Sequence, residues 1–182
     1  MKPWLMYGLL RCYQHLLKGR IQKAWGMVSL RKIKNKGEGC NIHGQITIFY
    51  PEKCKIGNNV RIGEGAFLFC KGGLEINDNT QISRNVCVYT ANHNIAGNQI
   101  PYDQTYIEKK VIIGHSVWIG MNVCIVPGTI IGDGAIIGMG TTVSGEVPEG
   151  AIIVGAYSRQ VGNRDMTKFN MKRNLGAYYN VI

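Results

Sequence analysis

Aliphatic residues open every sixth position from Ile113 through Ile119, Ile125, Ile131 and Ile137 to Val143, without a slip. A period of six over this length outranks any local helix or strand preference. Each unit is one strand plus one corner, and it buries its apolar face only by stacking on neighbouring units. The same rule holds at Ile56, Ile62, Ile76, Ile82 and Val88, so eleven units carry it. The pattern predicts an all-β solenoid, a parallel β-helix of hexapeptide repeats.

Side chains alternate along a strand, so a small or β-branched residue two places before the next aliphatic one shares its inward face. Val117 before Ile119 and Thr129 before Ile131 are examples. The residue between each such pair points outward. This places Arg61, Phe67, Cys87, His93, Trp118, Cys124, Ile130, Ile136 and Thr142 on the outer walls, where chemistry and partners are to be sought. The corners between strands read Gly-Asn-Asn, Gly-Glu-Gly, Asn-Asp-Asn, Gly-Asp-Gly and Gly-Met-Gly, residues that tolerate positive φ and turn the chain sharply. Two registers break. Leu68 to Ile76 spans eight residues, which predicts a bulged corner at Cys70-Lys-Gly-Gly73; Val88 to Ile113 spans twenty-five, which predicts an extruded loop over 94–110.

The first 36 residues follow another rhythm. Leu5, Leu9, Tyr13, Leu16, Leu17, Ile21, Trp25 and Val28 fall near helical spacing, interleaved with Lys and Arg. The spacing predicts one or two amphipathic helices in a basic arm over 1–36, ahead of a solenoid over 37–156 and a tail over 157–182. In that tail Asp165 is expected to cap a short helix with Met166 and Phe169 inward, ended by Gly176.

Charge sharpens the division. The net charge is +10, and nine basic residues precede the first acidic one, Glu38. The other twelve basic and eleven acidic residues almost cancel. Capping of the coil's open end is the first expectation for the arm, since repeat arrays need terminal caps. The alternative is a helix lying among anionic headgroups, favoured by Trp4, Tyr7, Tyr13 and Trp25 beside the cations. The apolar stretch from Pro3 to Leu10 is short, is interrupted by Arg11 and lacks a cleavage site, so it does not read as a secretion signal. No segment is long enough to span a bilayer, and no nucleic-acid-binding motif accompanies the charge. The six cysteines are scattered singly, which fits a reducing compartment better than a disulfide framework or a zinc site. These features together point to a cytoplasmic protein, with the inner face of the membrane as the alternative location.

From Val111 to Gly155 the chain reads Val-x-Ile-Gly-x-x-Val-Trp-Ile-Gly, then Pro-Gly-x-x-Ile-Gly-Asp-Gly, then Ile-Gly-x-Gly-x-x-Val. Together with the order His93, extruded loop, Val-Trp-Ile-Gly, it resembles the hexapeptide-repeat acyltransferases, and within them the maltose and galactoside O-acetyltransferase branch. The resemblance covers roughly Ile42 to Gly162. It implies a left-handed coil, an exception to the right-handed crossover rule, and a homotrimer with active sites between subunits. It also implies acetyl-CoA as donor, a sugar or glycan hydroxyl as acceptor, no metal, and a place in surface-polysaccharide assembly.

An alcohol attacks a thioester poorly until its proton is withdrawn, and imidazole, with an ordinary pKa near ~6.5, suits that step at neutral pH. By resemblance His93 is the catalytic base and the backbone N–H of Met121 the oxyanion donor. Trp118, Met121, Met139, Ser144 and Gly145 match positions lining the pantetheine slot, Arg159 the basic residue near the nucleotide end, and Arg164 or Lys168 could meet phosphates. Met121, Met139 and Gly145 depart from the small residues and lysine that relatives often carry there. Tyr102 and Tyr106 are candidate sugar-stacking rings. His15, His43 and His115 sit in the arm or at corners, where solvated or capping roles are the expectation.

Other functions remain open at this point. One is acetyl transfer to a small non-sugar or amino-sugar acceptor. Another is a γ-class carbonic anhydrase on the same coil, but only His93 and His115 lie in its working half, and their spacing does not supply three histidines around zinc. A third is a non-catalytic scaffold.

Overall fold

A computed structural model of the chain describes residues 2–13, 17–155 and 165–175. Three faces of short parallel strands form the coil. The first stacks Asn35–Lys36, Cys54–Ile56, Leu74–Ile76, Val111–Ile113, Ile130–Ile131 and Glu146–Val147. The second stacks Asn41–Ile42, Arg61–Ile62, Gln81–Ile82, Trp118–Ile119, Ile136–Ile137 and Ile152–Ile153. The third stacks Thr47–Phe49, Phe67–Phe69, Cys87–Tyr89, Cys124–Ile125 and Thr142–Val143. The chain visits the faces in that order. It therefore winds about six turns of a parallel β-solenoid.

Register carries the apolar period into a core. On the second face Ile42, Ile62, Ile82, Ile119, Ile137 and Ile153 stand in one inward column. Ala66, Thr80, Val117, Thr129 and Ala135 are likewise sealed from solvent, as their place before each aliphatic residue requires. Fully burying such an aliphatic side chain contributes roughly 1.5–3 kcal/mol. The corners turn at Ser116, Asn122, Gly128, Gly134 and Gly140, each with positive φ and each six residues from the last. A second kind of corner glycine answers to space instead. A Cβ on Gly120 would stand 2.7 Å from the backbone nitrogen of Met139 in the next turn.

Helix α1 (Pro3–Cys12) starts with proline in its first turn, and none of its residues is buried. Helix α2 (Lys18–Lys32) lies over the first turn of the coil. There Gly26 sits so close to the Ile42 carbonyl that no Cβ would fit, Ser29 is buried, and Gln22 donates to Glu64. Ile33, which follows α2, is already inside the core. Helix α3 (Met166–Asn174) is capped by Asp165, which accepts the Lys168 N–H at 3.0 Å. The expectation that Met166 faces inward is corrected, since it is exposed. Among the described side chains of α3 Lys172 is buried, and it reaches back to the Gly97 carbonyl. The side chain of Phe169, together with His15, Gly176, Arg159 and Arg164, lies outside the described residues. Among the described residues no helix is long and apolar enough to cross a membrane.

The thiols are free. Cys54 and Cys70 are buried, and the Cys70 thiol is pushed up by its hydrogen bond with Cys54 and then by burial. Such thiols are inert packing groups.

Candidate active site

The twenty-five-residue register break leaves the coil between the third and first faces as an antiparallel hairpin of Ala91–His93 with Tyr106–Glu108. His93 therefore stands on the hairpin and not on a wall of the coil, and it is half-buried. Its register partner is Tyr106. The Tyr106 hydroxyl lies 3.2 Å from His93 Nε2, and the Tyr102 ring stacks on the imidazole with centroids 3.8 Å apart and planes 14° from parallel.

Both tyrosines are held by the tip between them. Asp103 accepts the N–H of Asn98 at 2.8 Å, the N–H of Thr105 at 2.9 Å and the Thr105 hydroxyl at 2.5 Å. Those bonds, the Thr105 hydroxyl foremost, hold its carboxyl below the usual carboxylate range. The Lys172 contact to Gly97 ties the same tip to α3.

The edge carrying the hairpin is widened at three consecutive turns. The bulge at Cys70–Gly73 lies one turn before the hairpin, and a 3-10 turn at Pro51–Lys53 lies one turn before that. Sequence reasoning passed over the earliest widening, although Ile48 to Ile56 spans the same eight residues as Leu68 to Ile76. The three widenings cohere. Lys53 and Lys71 pair with Glu108 at 3.3 and 3.6 Å, and the Lys71 ammonium sits over the rings of Tyr50 and Tyr106. Beside them the outward third-face positions Phe49, Phe69 and Tyr89 stand in register, and Phe69 meets Tyr106 at 6.0 Å. A ladder of aromatic rings thus leads along the coil to the imidazole.

The residues expected to line a donor slot fall on two edges. Trp118 is 57% exposed and stands in register with Ile136, the stacked apolar pair that their spacing of three units predicts. Met121 and Met139 are exposed at successive corners after the second face, joined by the Gly140 N–H to the Met121 carbonyl at 2.9 Å. The Met121 N–H has no acceptor among the described residues. Ser144 and Gly145 are exposed at the corner after the third face, the edge that also bears His93. An open cleft of about 1010 Å³ runs between α2 and the second face, past Lys23, Arg61, Glu64 and Arg84 to Trp118 and Met121. Glu64 there accepts Arg84 at 2.6 Å.

His43 and His115 are exposed, and the His115 N–H is bound by Asp133. Among the described residues no three His, Cys, Asp or Glu side chains gather as a metal site would require.

A coil cornered every sixth residue, with an imidazole raised on a hairpin at one edge, defines a class of protein, the hexapeptide-repeat transferases. The family model "Bacterial transferase hexapeptide (six repeats)" matches residues 110–145. Among curated proteins the chain is 33% identical over 132 residues to "Putative acetyltransferase YJL218W" of Saccharomyces cerevisiae, covering 68% of this chain and 67% of that protein. It is 32% identical over 124 residues to "Putative lipopolysaccharide biosynthesis O-acetyl transferase WbbJ" of Escherichia coli, covering 64% and 60%. Among solved structures, a galactoside acetyltransferase in complex with coenzyme A shares the fold at a TM-score of 0.64 and 24% identity, over 90% of this chain and 82% of that one. The chain belongs to the hexapeptide-repeat acetyltransferase family.

Proposed function

We propose that the protein moves an acetyl group from acetyl-CoA to a sugar hydroxyl, in the assembly of a surface polysaccharide or related glycan, as a homotrimer. The observation that carries the reading is His93, held at a widened, aromatic-lined edge by two tyrosines. The coenzyme A held by the fold relative and the lipopolysaccharide role in the name of the E. coli relative support the donor and the setting.

In this reading His93 Nε2 takes the proton of the acceptor hydroxyl, which replaces the Tyr106 hydroxyl as its partner. The freed oxygen attacks the thioester carbonyl, and the oxyanion of the tetrahedral adduct accepts the Met121 N–H. Collapse breaks the carbon–sulfur bond, and the departing thiolate receives the proton held by the imidazolium. Trp118, Met121 and Met139 line the pantetheine arm, Ser144 and Gly145 contribute backbone from the other edge, and Arg159 meets the nucleotide.

His93 and Met121 lie on different edges of one chain. The reaction therefore runs between copies, with His93 of one facing the Trp118 wall of the next. Tyr102, whose ring is covered on one side by His93, positions the imidazole.

Screening acetyl-CoA consumption against nucleotide sugars, lipid-linked sugars and free saccharides finds the acceptor. With it, His93→Ala lowers turnover about 10²–10⁴-fold while trimer mass and melting temperature stay unchanged. Near-normal turnover in that variant discards the base. Light scattering that shows an active monomer discards the shared site.

A further inference from the structure

The basic arm is only half used by the coil. The stripe of α2 bearing Gln22, Gly26 and Ser29 is docked, whereas α1 buries nothing. Trp4, Leu5, Met6, Tyr7, Leu9 and Leu10 are all at least 44% exposed. On α2 the neighbouring stripe of Ile21, Trp25 and Val28, spaced four and three residues apart, is exposed as well. A helix of ten residues is marginal alone in water, and one with this much uncovered apolar surface needs something to lie against.

Charge selects what covers it. Lys2, Arg11, Lys18, Arg20 and Arg31 are interleaved with that surface, and no carboxylate occurs before Glu38. Two copies meeting through this face would set cations against cations with nothing to neutralise them. A bilayer rich in anionic lipid supplies negative headgroups for the lysines and arginines, an apolar layer for the leucines, and an interface for the Trp and Tyr rings.

We infer that the arm, with α1 as its inserted element, binds the protein to anionic membrane surfaces, without spanning them. Helix α2 then has two roles on two faces, closing the coil on one and adjoining the headgroups on the other. The inference is independent of the acetyl-transfer reading, because it uses no residue of the proposed reaction.

Sedimentation of the full chain with vesicles tests it. At low salt the protein is expected to pellet with mixed phosphatidylcholine and phosphatidylglycerol vesicles about tenfold more than with phosphatidylcholine alone, and high salt releases it. The triple variant Lys18→Gln, Arg20→Gln, Arg31→Gln loses the preference for phosphatidylglycerol. The variant Trp4→Ser, Leu9→Ser lowers binding to the same vesicles and keeps the mass of the parent in light scattering. A protein left in the supernatant at low salt, or one pelleting equally with both vesicles, overturns the inference. So does a Trp4→Ser, Leu9→Ser variant that falls apart into smaller species, because α1 then packs between copies.

Discussion

The coil and the hairpin that leaves it are held by different means. In the coil each inward residue repeats the environment of the one a turn away, so the second-face isoleucines form one buried column and no single contact decides the fold. In the hairpin three register pairs, the bonds to Asp103 and the reach of Lys172 fix the tip, and nothing repeats. Redundancy gives the coil its stability. Of its aliphatic residues the hairpin buries Ala91 and Ile100, neither of them part of the coil's core cluster, yet it carries the imidazole. Stability and chemistry are therefore expected to separate under mutation.

The strand Trp118–Ile119 offers the sharpest break, because its two residues point to opposite sides. Ile119→Ala empties a fully buried site and should cost about 2–5 kcal/mol, seen as a fall of roughly 10 °C in melting temperature. Activity measured well below that temperature should persist. Trp118→Ala should do the reverse, raising the KM for acetyl-CoA while the melting temperature holds. Equal losses of stability in the two variants would erase the distinction between inner and outer columns.

A smaller effect is expected at the hairpin tip. Asp103→Ala removes the acceptor shared by Asn98 and Thr105 and frees the segment that sets Tyr102 and Tyr106 against His93. Acetyl transfer should fall about tenfold, near 1.4 kcal/mol in the barrier, with the thermal midpoint unchanged. Asp103→Asn keeps one acceptor oxygen and should recover part of the loss. If Asp103→Ala instead lowers the midpoint as far as Ile119→Ala does, the hairpin is part of the cooperative core and the comparison fails.

The same division explains what could be read from the sequence. The inward ladder, the stacked pair Trp118 and Ile136, the bulge at Cys70–Gly73 and an extrusion between Val88 and Ile113 all follow from a period of six and its interruptions, although the extrusion starts at Ala91 and carries His93 with it. Contacts across the widened edge do not. Lys53 meets Glu108, and Lys71 covers Tyr106, across long separations set by no repeat. Tyr102 and Tyr106 read as rings open to an acceptor, and only folding shows that they grip the imidazole. The inward placing of Met166 failed: Met166 is exposed, while the long stem of Lys172 turns inward to reach the Gly97 carbonyl. The basic arm was legible as helix and as charge, but which helix docks depended on Gly26, whose missing Cβ admits the Ile42 carbonyl.

The junction between the two regions gives the smallest effect and the most specific one. Lys110 follows the hairpin's second strand, and its ammonium lies 2.7 Å from Glu75, which also pairs with Lys55 at 3.1 Å from the preceding turn. The hydrogen bond from Lys110, then that from Lys55, lowers the pKa of Glu75 below its ordinary value. A carboxyl with a depressed folded-state pKa contributes stability that is complete above its unfolded value and fades as the pH falls through the folded one. Both lysines are half exposed, so screening keeps the contribution below about 1 kcal/mol. Glu75→Gln should lower the urea midpoint slightly at neutral pH and low salt. The difference from the parent should vanish in acid below the carboxylate range, and also in high salt. A deficit that persists in acid would mean that Glu75 acts through packing, and the hairpin would then rejoin the coil by shape and not by charge.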